Sequence, residues 1–513
     1  MKKSFQLLII LLLVSLGLVA IGNRVVMGSA EKVIVEERAS FGDKEVAEGL
    51  RVNIPVSTIV GYRGDRRGHL LWDTEFVIGE SPTVKTEAEL SIDAEYGHNL
   101  YQYRDSGVYI STDVEQSYYV PNVGMEAWEN LDEVYTDIAV QTTPEGFWQK
   151  IVCMNDYYEK YPLSVEVYID DRKYGSEFGY WADLESTGEG IKNIGRNIEM
   201  KLLPEYLYSV QMSVSKDTEG NVTGYGCTTT RASAGIFSVS DVTDTDIYYG
   251  ADVRALNGGR PQAVIGDGYG IWRIGYELIE TEVDEQINRE FRFTEIEPKL
   301  IWPMEPEEIL LDVRVSEDQQ ELLLFTGENG MCVLTVIDVE TVQELQRLDL
   351  MPYDTSPEYT PGMRRVLQTE NVIVPFLTEG DLAVISKSAA GEYALEFIID
   401  KEADCREEAV NYIEEKHGKT ATLWNRLPAS IEIAWKDGKL AMVYALTNSY
   451  GSGKGCYYDV QPCAFWVAVY GQTGLLYGGE YYLSQGISEY RDVNHRISEI
   501  RDDAKMGVHW NEE

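Results

Sequence analysis

Residues 311–350 read LDVRVSEDQQELLLFTGENGMCVLTVIDVETVQELQRLDL. Leu311, Val313 and Val315 alternate with polar residues, the period-2 pattern of a strand with one face toward a core. Leu322 to Phe325 is an apolar run closed by Gly327 and Gly330. Val333 to Ile337 is another, followed by a polar turn from Asp338 to Thr341. The last piece, through Leu350, alternates with charges and reads as an outer edge. Four short antiparallel strands joined by tight turns within about 40 residues make one propeller blade.

The same order of parts recurs. Residues 364–400 give RRVLQTE, NVIVPFLTEG, DLAVISKSAAGEY and ALEFIID, and residues 430–485 give SIEIAWKDG, KLAMVYALTN, CAFWVAVYGQTG and LLYGGEYYL. Lys436-Asp437-Gly438-Lys439 is a hairpin signal, and Gly471-Gln472-Thr473-Gly474 passes a strand to its outer neighbour. Fainter units lie upstream. Leu207 to Ser215 leads into a turn at Lys216 to Asn221. Gly235 to Val239 and Tyr269 to Tyr276 read as strands, as do Gln141 to Glu145 and Leu163 to Ile169. His69 to Ile78 pairs with Thr86 to Ile92 as a hairpin. Forty-five glycines and 34 tyrosines suit many short strands and glycine turns rather than disorder. The expected fold class is all-β: a β-propeller of about seven or eight four-stranded blades with a small helical insertion. A tandem of β-sandwiches is the alternative. In blade layout only, residues 311–486 resemble the repeat propellers that include WD-like, quinoprotein-like and lactonase-like proteins. They lack the Gly-His and Trp-Asp signatures of the first and the periodic tryptophan of the second, so no residue role carries over.

The helical insertion is read at 401–416. Cys405, Ala409, Tyr412 and Ile413 share a face at helical spacing, and Gly418 offers a stop. The expected division is 1–30 as signal peptide or membrane anchor and 31–135 as an N-terminal β region or the first blades. Residues 136–500 form the propeller, and 501–513 an acidic tail.

The chain opens MKKSFQLLIILLLVSLGLVAIGNRVVMGSAEK. Lys2 and Lys3 precede an apolar run from Leu7 to Ile21, and Gly28-Ser29-Ala30 supplies small residues before Glu31. That is the layout of a secretory signal or a short anchor. No cysteine follows the run, which argues against lipidation. The expected location is extracytoplasmic at a bacterial cell surface, secreted or held by a single membrane pass with the lysines on the cytoplasmic side. The whole chain has 44 Lys and Arg against 86 Asp and Glu, a formal charge of -42. Residues 1–30 hold three basic and no acidic residues, so the exported part is more negative still. Such a field repels phosphate backbones and excludes a nucleic-acid role.

The candidate chemistry is sparse. Five histidines form no metal-ligand spacing, and Gly451-Ser452-Gly453 is not a nucleophile elbow. Gly266-Asp267-Gly268-Tyr269-Gly270 lacks the Lys-Ser/Thr ending of a phosphate loop and reads as a turn. Asp241, Asp244 and Asp246 lie close together without forming a recognised calcium loop. They are the first place to look for bound calcium, the one cofactor considered. Cys332 falls in a core run. Cys456 and Cys463 bracket YYDVQP between two strands, where a disulfide is geometrically possible in an exported protein. Tyr457 and Tyr458 in that loop, with Trp466 beyond it, are the candidate ligand-binding aromatics. The aromatics of 465–482 pack a strand pair in which alternation buries about half of them. The expected function is a non-catalytic, membrane-associated binding, sensing or assembly module whose partner is a cell-envelope protein or glycan. The alternative is a carbohydrate-active or lactonase-like hydrolase.

Overall fold

In the computed structural model the described residues are 15, 17, 34–63, 66–79, 85–93, 107–112, 146–153, 161–168, 192–193, 199–201, 209–231, 234–255, 264–265, 269–283, 286–295, 298–305, 307–355, 362–378, 380–401, 406–417, 431–446, 464–484, 495–497 and 507–510. By contact the chain separates into two units. The first comprises residues 1–103 and 364–513, so both ends of the sequence build it, and the second comprises residues 104–363.

The first unit opens with β1 (Ile34–Gly42), β2 (Leu50–Arg63), β3 (Arg66–Val77) and β4 (Lys85–Asp93). The second unit contributes β5 (Gly107–Thr112), β6 (Gly146–Cys153), β7 (Tyr161–Tyr168), β8 (Lys192–Asn193), β9 (Glu199–Lys201), β10 (Ser209–Lys216) and β11 (Val222–Arg231). It continues through β12 (Ala234–Val242), β13 (Asp246–Ala255), β14 (Val264–Ile265), β15 (Gly270–Val283), β16 (Gln286–Phe293), β17 (Lys299–Pro303), β18 (Ile309–Val315), β19 (Glu321–Glu328), β20 (Met331–Asp338) and β21 (Glu344–Pro352). The first unit resumes with β22 (Met363–Gln368), β23 (Val372–Leu377), β24 (Leu382–Lys387), β25 (Tyr393–Ile399), helix α1 (Glu407–His417), β26 (Ile431–Lys436), β27 (Lys439–Ala445), β28 (Ala464–Gly471), β29 (Gly474–Ser484), β30 (His495–Ile497) and β31 (Gly507–Trp510). Every recorded pairing between them is antiparallel, in several small sheets.

The three repeats read from sequence are three such sheets. The orders β18-β19-β20-β21 and β22-β23-β24-β25 follow the chain, as does β26-β27-β28-β29. The turns have the chemistry their residues impose. Asn329 and Gly330 (φ 48° and 82°) close β19 onto β20, and Asp437 and Gly438 (φ 50° and 74°) close β26 onto β27. Two successive positive φ values match the twist of a tight hairpin, and Asn-Gly and Asp-Gly adopt them at least cost. At the β10–β11 turn the Asp217 carboxylate accepts from the backbone N–H of Asn221 at 2.8 Å and of Glu219 at 2.9 Å. The Asn221 side-chain amide also donates to it at 3.1 Å, and that bond first, with the backbone ones, holds its pKa below the usual carboxylate range.

A fifth strand joins the last repeat: β1 lies antiparallel along β29, from Ile34 opposite Ser484 to Gly42 opposite Tyr477. At the other end of the sequence, β31 and β30 both pair with β2 of the sheet β2–β4. Residues 507–510, within the stretch read as a tail, are thus part of a sheet. The β26–β29 sheet is covered on both faces. On one side Met442, Tyr444, Trp466 and Ala468 meet Val374, Phe376, Val384 and Ile399 of the β22–β25 sheet, together with Ala409 and Ile413 of α1. On the other side Ala441, Val443, Phe465 and Val467 meet Leu50, Val52, Ile54 and Phe76.

Burial on both faces corrects one expectation. Phe465, Trp466, Tyr470, Tyr477 and Tyr481 are all at most 4% exposed, where alternation against a single core would have left about half outside. A strand covered on both faces has no polar side, which is why β28 reads as the continuous run AFWVAVYG.

Helix α1 begins later than the 401–416 reading, at Glu407. Ala409 and Ile413 are buried, and Tyr412 packs against the same core. The Arg406 side chain donates to the Leu475 carbonyl at 3.0 Å. Glu480 of β29 is wholly enclosed, and its Oε2 accepts from the Tyr412 hydroxyl at 2.6 Å and from the Lys416 ammonium at 2.8 Å. Phe41 of β1 lies between the Tyr412 and Trp466 rings, with centroids 5.5 and 6.0 Å away.

Candidate functional site

The sequence candidates fall in three places. Cys456, Cys463, Tyr457 and Tyr458 lie outside the described residues, as does their loop. Trp466 is 2% exposed in the middle of β28, stacked on Phe41 at an interplanar angle of 29°. The ring presses so closely on β29 that a Cβ at Gly478 would stand 2.6 Å from its Cζ2 atom. Its place is the interior of the sheet stack.

Asp241, Asp244 and Asp246 lie on the hairpin from β12 to β13, each with its own partners. One carboxylate oxygen of Asp241 accepts from the Val242 N–H at 2.9 Å and the other from the Val315 N–H at 2.8 Å, which ties β12 to β18 of the next sheet. Asp244 exchanges two hydrogen bonds with Gln319, its N–H donating to Oε1 at 2.9 Å and its Oδ1 accepting from Nε2 at 3.1 Å. Asp246 Oδ2 accepts from the Thr245 hydroxyl at 2.6 Å. The three carboxylates therefore diverge, and among the described residues no group of three His, Cys, Asp or Glu side chains could hold a metal ion. A bound cation would need them to converge within about 2.3–2.6 Å of one point. Instead the hairpin joins two sheets. Asp312, 7% exposed on β18, belongs to the same seam. Its oxygens accept from the Val313 N–H at 2.8 Å and the Arg314 Nε–H at 3.1 Å, and burial raises its pKa against the pull of Arg314.

Asp246 also belongs to a second cluster, which sequence reading did not anticipate. In the antiparallel register Arg273 of β15 stands opposite Tyr248 of β13 on one side and Lys299 of β17 on the other. Directly opposed residues share a face, so the three form one row across three strands. Asp246, two residues before Tyr248, faces Gly275. Glu295 reaches in from the end of β16. The Arg273 guanidinium lies 3.5 Å from Asp246 Oδ1 through Nε and 4.0 Å from Glu295 Oε1 through Nη2, and Lys299 pairs with the same Glu295 oxygen. Glu295 sits below the usual carboxylate range, chiefly through its hydrogen bond from Lys299.

The cluster contains opposite charges in equal number, Arg273 and Lys299 against Asp246 and Glu295. The Tyr248 hydroxyl, Arg273 Nε and Glu295 Oε2 are all closed off from solvent, and the Arg273 side chain hydrogen-bonds with the Tyr248 hydroxyl. Tyr248 is 1% exposed, and burial, aided by the charge of Asp246, pushes its pKa up to about 12. The signal in the sequence was slight: Arg273 is the one charge within the strand-like run GIWRIGY. A lone arginine there is as consistent with a sheet edge as with a site. Only the register brings Glu295 and Asp246 to it.

No family model matches the chain, and no curated protein sequence matches it. Among solved structures, a protein of Bacteroides uniformis described as a 6-phosphogluconolactonase is 8% identical, covering 69% of this chain and 100% of its own, with a TM-score of 0.21. TolB from Acinetobacter baumannii is 10% identical over 84% of this chain and 80% of its own, with a TM-score of 0.19. Prolyl oligopeptidase B from Galerina marginata is 9% identical over 69% of this chain and 43% of its own, also with a TM-score of 0.19. Scores of this size carry no argument about this chain's fold or chemistry.

Proposed function

We propose that this chain is a non-catalytic, extracytoplasmic β-propeller of about seven or eight blades that binds, senses or assembles partners at the cell envelope. The observation that carries the architectural part is the β26–β29 sheet, covered on one face by the four-stranded β22–β25 sheet and on the other by the five-stranded sheet of β2, β3, β4, β30 and β31. A two-layer sandwich has one core between two sheets, whereas radially stacked blades have a core on each side of every blade. The pairing of β1 with β29 and of β30 and β31 with β2 supports ring closure by strand exchange between the ends of the sequence. The export reading rests on Lys2, Lys3 and the apolar run from Leu7 to Ile21, which attaches the chain to the membrane or is removed on secretion.

The binding reading is supported by what the enclosed carboxylates do. Asp241, Asp312 and Glu480 are engaged with backbone N–H groups, Arg314, and Tyr412 with Lys416, as members of the scaffold. Partner recognition is assigned to the loop carrying Tyr457 and Tyr458, with a Cys456–Cys463 disulfide restricting it and a glycan or envelope protein as its partner. A carbohydrate-active or lactonase-like hydrolase is the second reading.

Fractionation of the tagged native protein tests the location, and recovery of the full-length chain in the cytoplasm would overturn it. Mass spectrometry of the non-reduced protein tests the disulfide: two alkylatable thiols refute it. Turnover of a glycan or lactone by the purified protein would establish the hydrolase instead.

A further inference from the structure

We infer that the N-terminal anchor holds the first unit upright on the bilayer, with the end of the β26–β29 sheet where β28 starts toward the membrane and its hairpin turns away from it. The inference deepens the envelope reading above and rests on its anchored form. Register decides which end is which. Ile34, the first residue of β1, stands opposite Ser484, the last of β29. Ala464, the first of β28, stands opposite Tyr482, and Phe465 stands opposite Ala445, the last of β27. The start of β26 joins them, with Ile431 opposite Tyr444. Leu446 and Ala464 close this end, the Leu446 N–H donating to the Ala464 carbonyl at 2.9 Å. The turns at Asp437-Gly438 and Gln472-Thr473 lie at the other end, as does Gly42.

The N-terminal segment enters the sheet at Ile34. Only residues 22–33 separate the apolar run Leu7 to Ile21 from β1, a length of chain that spans at most about 40 Å when fully extended. Strands of eight or nine residues set the two ends of the sheet about 25 Å apart. That offset is more than half the reach of the tether, so the end bearing Ile34 is the one kept near the lipid. Charge opposes the alternative of lying along the surface. A chain with a formal charge of -42 is repelled by an anionic bilayer, which favours standing off on the tether. The attachment is built to bear load. Ladder hydrogen bonds run perpendicular to the strands, so a pull along β1 loads the whole register from Ile34 to Gly42 together. The Arg38 guanidinium adds a contact 3.7 Å from the Tyr482 ring centre, and Phe41 is held between Tyr412 and Trp466. The near end thus faces components held at the membrane, and the two hairpin turns face the medium outside.

The test uses the full chain in vesicles of phosphatidylethanolamine and phosphatidylglycerol that carry a fluorescent acceptor lipid. A fluorescent amino acid replaces Glu36 or Gln472 in turn, both exposed, and circular dichroism confirms that each variant is folded. Glu36 stands opposite Tyr482 toward the near end, and Gln472 sits on the far turn. With about 20 Å of strand between them, energy transfer to the lipid should be about twofold or more stronger from Glu36. A flexible Gly-Ser spacer inserted after Ala30 should weaken that transfer; an unchanged signal would overturn the tether as its cause. Vesicle flotation separates the two claims. A chain that floats with equal transfer from both positions, or stronger transfer from Gln472, overturns the orientation and leaves the anchor standing. A chain that does not float, or one cut between the apolar run and Ile34, refutes the anchored form and the orientation with it.

Discussion

Replacing Lys416 with Met tests whether α1 acts as a clasp on the N-terminal strand. The Glu480 carboxylate is fully enclosed, and Lys416 supplies its compensating charge from a side chain that is 36% exposed. Removing one partner of a buried ion pair costs about 3–5 kcal/mol, while exposed pairs contribute at most about 1 kcal/mol. With one end enclosed and the other about a third exposed, the expected loss lies between these limits, at about 2 kcal/mol. Methionine keeps most of the apolar stem, so the loss reports the charge rather than the packing. Glu480 lies opposite Ala39 in the register, and Phe41 is held between Tyr412 and Trp466. The damage should therefore appear first in β1. Guanidinium unfolding measures the loss, and hydrogen exchange at Ile34–Gly42 locates it. Adding Glu480→Gln removes the stranded charge, so the double variant should be more stable than the sum of the single losses, with a coupling of about 1–2 kcal/mol. A Lys416→Met protein within about 0.5 kcal/mol of the parent, with unchanged exchange in β1, would refute the clasp.

Four further outcomes are expected. Burial and the contact with Glu480 raise Tyr412, while the bonds to Glu480 and Tyr412 outweigh burial in raising Lys416. Their contribution should be complete below the ordinary values of about 10, where Lys416 is charged and Tyr412 neutral, and should fade as pH rises through the higher folded values, as an alkaline stability series would show. Asp241→Ala removes the acceptor of the Val315 N–H and should cost about 1–3 kcal/mol, with exchange rising at the β12–β18 seam; unchanged exchange there would refute the staple. Gly42→Ala should be among the most damaging single changes, since Gly42 has φ 82° and a Cβ would meet the Leu476 carbonyl oxygen at 2.1 Å; a variant melting with the parent would contradict the close approach. Because the carboxylates of Asp241, Asp244 and Asp246 diverge, calcium should leave the melting midpoint unchanged, and a rise reversed by a chelator would restore the ion-binding reading.

The repeats were legible because local chemistry alone fixes them. Apolar runs, Asn329-Gly330 and Asp437-Gly438 specify hairpins whatever lies beyond them, and the strands fell where residues 311–350, 364–400 and 430–485 placed them. The fifth strand β1 was not legible, since nothing in IVEERASFG names a partner more than four hundred residues away. The aromatic burial was misjudged for a related reason: alternation assumes one covered face, and the second cover comes from β2 and β3. The charged cluster on β15 was hidden because its members come from separate segments, with Asp246, Arg273, Glu295 and Lys299 meeting only through register. The three aspartates were visible as a group, but spacing does not show which way carboxylates turn, and theirs turn toward Val315, Gln319 and Thr245.

The pairing of β1 with β29 also sets an order of events. Residues 34–42 leave the ribosome long before 474–484 exist, so this ladder must wait until the second strand has been made. Pairings of such long range form slowly, because the intervening loop must close before any contact rewards it. The N-terminal strand therefore stays without its β29 partner through all the synthesis that lies between them, while the sheets built from consecutive strands can already pair. The edge of β29 stays open to another strand until residues 34–42 dock on it, so β1 acts as the cover that keeps that edge from pairing elsewhere.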